Sequence, residues 1–217
     1  MPFIRPGSPI FQFLERVANL IILNVLFLIC CIPIITIGPA LTALYYASMK
    51  MVRNEEQSII RDFFHAFRQN FRQGLLLFLL VLTVSLFLSI DMYLLLYSSA
   101  VPDEYVKFLL CATGAIIVLF LMILSYAFPI LARFHVTLIG CIKASVGVAF
   151  SHLPTTFSVI VISYLPLLAV FLPIIQIMHI VFPILLLIGF ALMAYSQSWF
   201  LLRAFRRHTP EEAAGAD

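Results

Sequence analysis

The sequence predicts an all-α fold, a polytopic membrane helical bundle, and three observations lead to that prediction. Of the 217 residues, 63% are hydrophobic and only 11% are charged, whereas a soluble domain carries roughly 25% charged residues. The mean hydropathy is +1.11. The apolar residues gather in five runs, each long enough to cross a hydrocarbon core about 30 Å thick. Such a composition suits a surface that faces lipid, where exposed side chains should be apolar.

The five predicted spans contain no lysine or arginine. They cover residues 17–37, 74–97, 108–131, 153–172 and 177–202. Only four residues separate the last two runs, so these two spans are expected to form a tight antiparallel hairpin. Residues 1–207 are expected to form a single transmembrane helical domain. Residues 208–217 are polar and rich in alanine and glutamate, and they are expected to be a disordered tail.

A short apolar helix is predicted after the first span, over residues 39–53. Gly38 breaks the apolar run, and Pro39 suits the first position of a new helix, where its missing N–H is not needed. At 1.5 Å per residue this helix would be about 22 Å long. It is therefore either a short sixth span, a re-entrant segment or an interfacial helix.

The distribution of basic residues predicts the orientation of the bundle. Five of the 13 lysines and arginines lie in residues 50–72, which we expect on the cytoplasmic side. If the helix 39–53 returns to that side, 12 of the 13 are cytoplasmic, and otherwise 10 are. We prefer the first arrangement, which places the N-terminus in the cytoplasm, although the length of the helix argues against it. Both arrangements place the C-terminus in the cytoplasm.

Residues 55–72 carry the clearest local pattern, with phenylalanines at helical spacing on one face and basic residues on the other. Asn54 and Gln57 have the spacing of an N-cap and its capping-box partner. The pattern predicts a basic amphipathic helix at the cytoplasmic interface. It either anchors the next span or docks a partner. The candidate partner-docking residues are Phe63, Phe64, Phe67, Arg68, Asn70, Phe71 and Arg72. A second connection, with small residues over 140–149, suits close helix packing.

Ionisable residues inside spans are the default candidates for function in a membrane protein. Asp91, in the second span, and His179, near the predicted hairpin turn, form the candidate polar transport site. The cysteines show no metal-ligand spacing, so no metal or cofactor is expected. The HExxH and GxSxG motifs are absent from the sequence, so we expect a protein that is not an enzyme. The sequence has no basic arm or finger, so no nucleic-acid partner is expected.

Residues 31–40, CIPIITIGPA, followed by ALYY at 43–46, resemble the YesL-like family of bacterial membrane proteins. The resemblance continues through RDFF at 61–64 and FRQNFRQ at 67–73. Members of this family of unknown function tend to be encoded beside carbohydrate ABC-transport genes. The resemblance implies a bacterial plasma membrane protein linked to sugar uptake. It transfers no catalytic residue.

Two functions remain open from the sequence. The first is a non-enzymatic accessory component of carbohydrate uptake that contacts sugar ABC-transporter permease subunits through the 63–73 helix or the 140–149 surface. The second is an independent small transporter, acting as a monomer or a homo-oligomer, that uses a polar site near Asp91 and His179. In both hypotheses the protein is embedded in the lipid bilayer.

Overall fold

The computed structural model describes residues 9–55, 58–97, 102–134, 136–151, 153–171 and 182–206, and all regular structure among them is helical. The predicted all-α fold is therefore confirmed. A 3₁₀ turn at Ile34–Thr36 precedes the second helix, and a π-helical turn at Leu185–Gly189 precedes the last. The helices are α1 (Pro9–Cys31), α2 (Ile37–Arg53), α3 (Ile59–Gln69), α4 (Phe71–Tyr97), α5 (Asp103–Arg133), α6 (Leu138–Ser151), α7 (Leu153–Phe171) and α8 (Phe190–Arg206).

Four segments are long and apolar enough to cross a membrane. They are Ile10–Cys31, Phe71–Tyr97, Tyr105–Arg133 and Phe182–Leu202. A fifth is reached if Leu138–Ser151 and Thr155–Tyr164, which are bent by 111°, count as one broken span. The structure thus supports a membrane bundle of four to five spans. The predicted hairpin turn at 173–176 and the predicted tail at 208–217 lie outside the described residues.

The first span lies earlier in the chain than the predicted range of 17–37. Helix α1 ends at Cys31 because Pro33 follows, with an extended backbone at φ −77° and ψ 115°. The hydroxyl of Thr36 donates to the carbonyl oxygen of Pro33 at 2.6 Å. The same hydroxyl lies 2.5 Å from the carbonyl oxygen of Cys30 in the last turn of α1, a carbonyl that has no partner within that helix. The chain resumes as α2 at Ile37, two residues before Pro39.

Helix α2 lies at the centre of the bundle and contacts α1, α3, α4, α5 and α8. Ala40, Ala43 and Ala47 are fully buried along it, and their small side chains let neighbouring helices approach closely. The closest approach is to α4. A Cβ atom added to Gly38 would lie 2.2 Å from the carbonyl oxygen of Gly74. The sequence analysis interpreted Gly38 as a break in the apolar run. In the structure Gly38 lies within α2 and forms a helix–helix contact with α4.

Two apolar clusters surround α2. One joins α1, α2, α3 and α8 and includes Leu23, Leu44 and Phe63. The other joins α2, α4, α5, α6 and α8 and includes Tyr126 and Leu131. Because α2 and α8 contribute to both clusters, these two helices connect the halves of the described bundle.

Candidate functional site

Helix α3 packs one face against the bundle and leaves the other exposed. Ile59, Asp62, Phe63 and Ala66 are its buried residues. The helix is shorter than the predicted 55–72: it begins after Ser58 and ends before Asn70, and α4 starts at once. The amphipathic pattern of the sequence is thus divided between a short helix and the first turn of a spanning helix.

Asn54 does not cap the start of α3, contrary to the sequence interpretation. It ends α2 instead, in the left-handed conformation with φ 54°. Asparagine tolerates this conformation better than most residues. The proposed partner Gln57 lies outside the described residues. The Asn54 side-chain oxygen accepts a hydrogen bond from Arg16 at 2.8 Å. This bond brings the beginning of α1 to the same end of the bundle as the end of α2.

The candidate docking residues divide into buried and exposed sets. Phe63 has no exposed surface, and Asn70 is 5% exposed, so both serve the packing of this chain. Phe64, Arg68 and Arg72 are exposed, and Phe67 and Phe71 are half-buried. The rings of Phe63, Phe67 and Phe71 form a row with centroid separations of 6.2 and 5.5 Å. The sequence analysis interpreted these aromatic residues as a surface for a partner. In the structure they largely form packing contacts, and the docking role stays a prediction.

An ion pair fixes α3 to α2. Lys50 Nζ donates to Asp62 Oδ1 at 2.7 Å and lies 5.3 Å from the ring centre of Tyr46. Because Asp62 accepts this hydrogen bond, the pKa of Lys50 is raised above its ordinary value. The second carboxylate oxygen of Asp62 is buried and has no hydrogen-bond partner among the described residues. Asp62 therefore faces the bundle, and the outer face of α3 is left basic.

Asp91 lies between α4 and α5. Thr113 Oγ1 of α5 donates to Asp91 Oδ2 at 2.8 Å, and Asp91 is half-buried. His179 lies outside the described residues, and so does its predicted pairing with Asp91. In the described part of the chain, Asp91 thus joins two spanning helices through one hydrogen bond.

Polar side chains also meet inside the bundle at places that the sequence analysis did not identify. Tyr45 of α2 donates to the side-chain oxygen of Gln197 of α8, whose amide nitrogen donates to Ser163 of α7 at 2.7 Å. Tyr126 of α5 and Thr156 of α7 are joined at 2.8 Å. The sequence analysis did not single out Gln197, which joins α2 to α7 through α8. An amide in the last apolar run was the signal that could have found it.

Asn24 forms the most extensive of these polar contacts. Its side-chain nitrogen donates to the carbonyl oxygen of Leu186 at 2.7 Å, and its side-chain oxygen accepts from the N–H of Ala191 at 3.0 Å. Both bonds reach the π-helical turn Leu185–Gly189 or its C-terminal edge. A π turn leaves backbone groups without regular partners, and the fully buried Asn24 satisfies them.

Helix α6 presents an inner and an outer face. Cys141, Ser145 and Ala149 are buried, and the thiol of Cys141 donates to the carbonyl oxygen of Ala127 at 3.2 Å. The outer face carries exposed residues at helical spacing, with Lys143 and two small side chains at its centre and large apolar side chains near its ends. It comprises Ile139, Lys143, Ala144, Gly147 and Phe150. A Cβ atom added to Gly147 would meet nothing within 4 Å.

In the part of the chain that the structure describes, no group of three or more histidine, cysteine or acidic residues could hold a metal ion. The four cysteines are free thiols. The described residues thus offer two outward surfaces, on α3 and α6, and polar contacts that join helices.

These features define an α-helical multi-pass membrane protein with a short central helix and a basic helix at one end. Residues 20–92, from α1 to α4, match the model of a family described as "Protein of unknown function, DUF624". The chain is similar to the uncharacterized protein YesL of Bacillus subtilis (strain 168), at 28% identity over 138 residues. The matched part spans 63% of each chain. These matches confirm the resemblance to the YesL-like family. No solved structure matches the chain.

Proposed function

We propose that this protein is a non-enzymatic accessory component of a carbohydrate-uptake system in the bacterial plasma membrane. The link to carbohydrate uptake rests on the resemblance to the YesL-like family. In this proposal the α3 end of the bundle and the C-terminus face the cytoplasm, because residues 50–72 are basic. The partner is a sugar ABC-transporter permease subunit, bound by helix–helix contact.

The outer face of α6 is the observation that carries the proposed contact. Its inner residues are already buried against the bundle, and nothing described covers Gly147 or Ala144. Small residues let a second helix approach until backbone atoms touch, which favours association in a bilayer. The larger Ile139 and Phe150 are 69% and 54% exposed, and they would border such a contact.

The test is co-purification from native membranes in a gentle detergent, followed by mass spectrometry. Wild-type protein should recover permease subunits in fixed stoichiometry, and Gly147→Leu should lose them, because the larger side chain would separate the two helices. Gly114→Leu on α5 is the matched control, since a Cβ atom there also meets nothing within 4 Å. Recovery of the protein with no partner but itself, or retention of the permease by Gly147→Leu, would contradict the proposal.

A second candidate function is an independent small transporter with a polar site at Asp91. The observation that favours it is the hydrogen bond between Thr113 and Asp91, which places an ionisable group between two spans. Purified protein in vesicles should then carry solute without a partner. An Asp91→Asn, His179→Ala double variant should abolish that flux, and normal flux in the variant would exclude this site.

A further inference from the structure

An open groove runs along the outer face of α3. Its volume is about 580 Å³, and it is lined by Arg61, Phe64, His65, Arg68 and Gln69. These positions follow the spacing of one helical face. The groove lies opposite the buried face formed by Phe63 and Ala66 and is therefore separate from the packing between α3 and α2.

The groove is positively charged, and no acidic residue lines it. Asp62, the one carboxylate within α3, faces the bundle and pairs with Lys50. The second ion pair among the described residues joins Arg53 to Glu55. Neither ion pair uses Arg61 or Arg68, so within the described ranges both guanidinium groups lack a carboxylate partner. Guanidinium groups bind phosphate oxygens in a bidentate geometry.

Apolar side chains border the basic groove on one side. Ile60 is 49% exposed and Phe64 is 39% exposed; on the helical wheel Phe64 lies beside Arg68, and Ile60 lies on the far side of Phe64. The helix also leads directly into the spanning helix α4 through Asn70. The groove therefore lies near the level at which α4 enters the membrane. A surface that is basic on one flank and apolar on the other matches the boundary between phospholipid headgroups and acyl chains.

We propose that this groove binds the phosphate of an anionic phospholipid headgroup in the adjacent leaflet. Arg61 and Arg68 would contact the phosphate oxygens, while Phe64 and Ile60 lie against the upper part of the acyl chains. A free phosphate or an acidic protein segment would use the charges and leave the apolar flank exposed, which is why the lipid fits better. This site is on α3 and does not depend on the partner contact proposed for α6.

The test is native mass spectrometry of the full chain in detergent with added phosphatidylglycerol or phosphatidylcholine. The wild type should retain phosphatidylglycerol preferentially. Arg61→Gln with Arg68→Gln should weaken that retention by roughly thirtyfold, a factor that corresponds to about 2 kcal/mol, or about 1 kcal/mol for each basic residue near an anionic surface. Arg61→Lys with Arg68→Lys should keep most of it, because the charge is preserved.

A charge-matched control removes Lys107 and Lys143, both exposed and outside the groove, by replacing each with glutamine. This variant should retain phosphatidylglycerol like the wild type, and thermal unfolding should show that all the variants are folded. Equal retention by the groove variant and its control would overturn the proposal. Displacement of the lipid by millimolar inorganic phosphate would also overturn it, because it would show a site for free phosphate.

Discussion

Asn24 joins the first and last described spans through side-chain hydrogen bonds. One amide side chain satisfies a carbonyl and an N–H of α8 and its π turn. Inside a bilayer no water would be available to hydrogen-bond those backbone groups if the side chain were removed. The side chain is fully buried, so its role is to hold two helices in register.

We therefore expect Asn24→Ala to lower the free energy of unfolding by about 1–3 kcal/mol, since it leaves buried backbone groups without partners. Thermal unfolding in detergent measures the loss. Asn19→Ala is the control, because Asn19 lies on the same helix and is half-buried. Equal stability of the two variants would contradict the role assigned to Asn24.

Gly38 is the second residue whose identity the tertiary structure requires. A methyl group there would overlap the backbone oxygen of Gly74 and lie 2.5 Å from Cβ of Phe78. Gly38→Ala should therefore destabilise the protein by about 1–3 kcal/mol through overpacking. Gly114→Ala should be neutral or slightly stabilising, because that position is open and alanine favours the helix. The thermal midpoints of the two variants test this, and a midpoint for Gly38→Ala at or above that of Gly114→Ala would contradict it.

At the scale of elements, α3 is held to α2 by packing and by one ion pair. Lys50→Met leaves the buried carboxylate of Asp62 without a partner, and we expect a loss of about 2 kcal/mol. Asp62→Asn removes the charge together with the pair and should cost less, about 1 kcal/mol. The unfolding free energies of the two single variants measure these losses, and the double variant completes a cycle that gives the coupling between the two residues. A larger loss for Asp62→Asn than for Lys50→Met would contradict this account, because it would show that the carboxylate of Asp62 does not depend on Lys50.

The same ion pair predicts how stability responds to pH. Folding raises the pKa of Lys50 above its ordinary 10.5, so the charged pair is complete at neutral pH. Its contribution should be lost only as the pH rises through that raised pKa. The difference in thermal midpoint between wild type and Lys50→Met should therefore be equal at pH 7 and pH 9. A difference that shrinks between these two values would contradict this account.

At the scale of the whole molecule, the bond between Arg16 and Asn54 places the start of α1 and the end of α2 at one end of the bundle. This geometry matches the arrangement in which 12 of the 13 basic residues lie on one side. Helix α2 therefore returns towards the side from which α1 begins, although it is only 17 residues long.

Cysteine labelling tests this topology in a background with the four native cysteines replaced by alanine. Gln12→Cys and Ser58→Cys should be protected from an impermeant maleimide in intact cells and labelled after lysis. Pro102→Cys, in the loop between α4 and α5, should be labelled in intact cells. All three positions are exposed. Labelling of positions 12 and 102 together in intact cells would contradict the arrangement.

The apolar runs predicted four of the helices that are long and apolar enough to span a membrane, because the need to satisfy backbone groups in lipid leaves few alternatives to a helix. The predicted span 153–172 reaches that length only if α7 and the bent α6 count as one broken span. Helix ends were predicted less accurately. Asn54 was assigned to the start of α3 because its spacing to Gln57 suits a cap, and it instead ends α2. Phe63 was assigned to a surface because amphipathic periodicity shows which residues share a face. That periodicity does not show whether the apolar face meets lipid, a partner or the chain itself.

The sequence by itself determined that this is a helical membrane protein, since composition and the length of apolar runs decide whether each segment is stable in water or in lipid. It also identified the basic character of α3 and the resemblance to the YesL-like family. Only the tertiary structure decided that α2 is central, that Gly38 meets Gly74 and that Asn24 satisfies the π turn. These contacts join residues far apart in the chain, and their partners depend on how the helices pack.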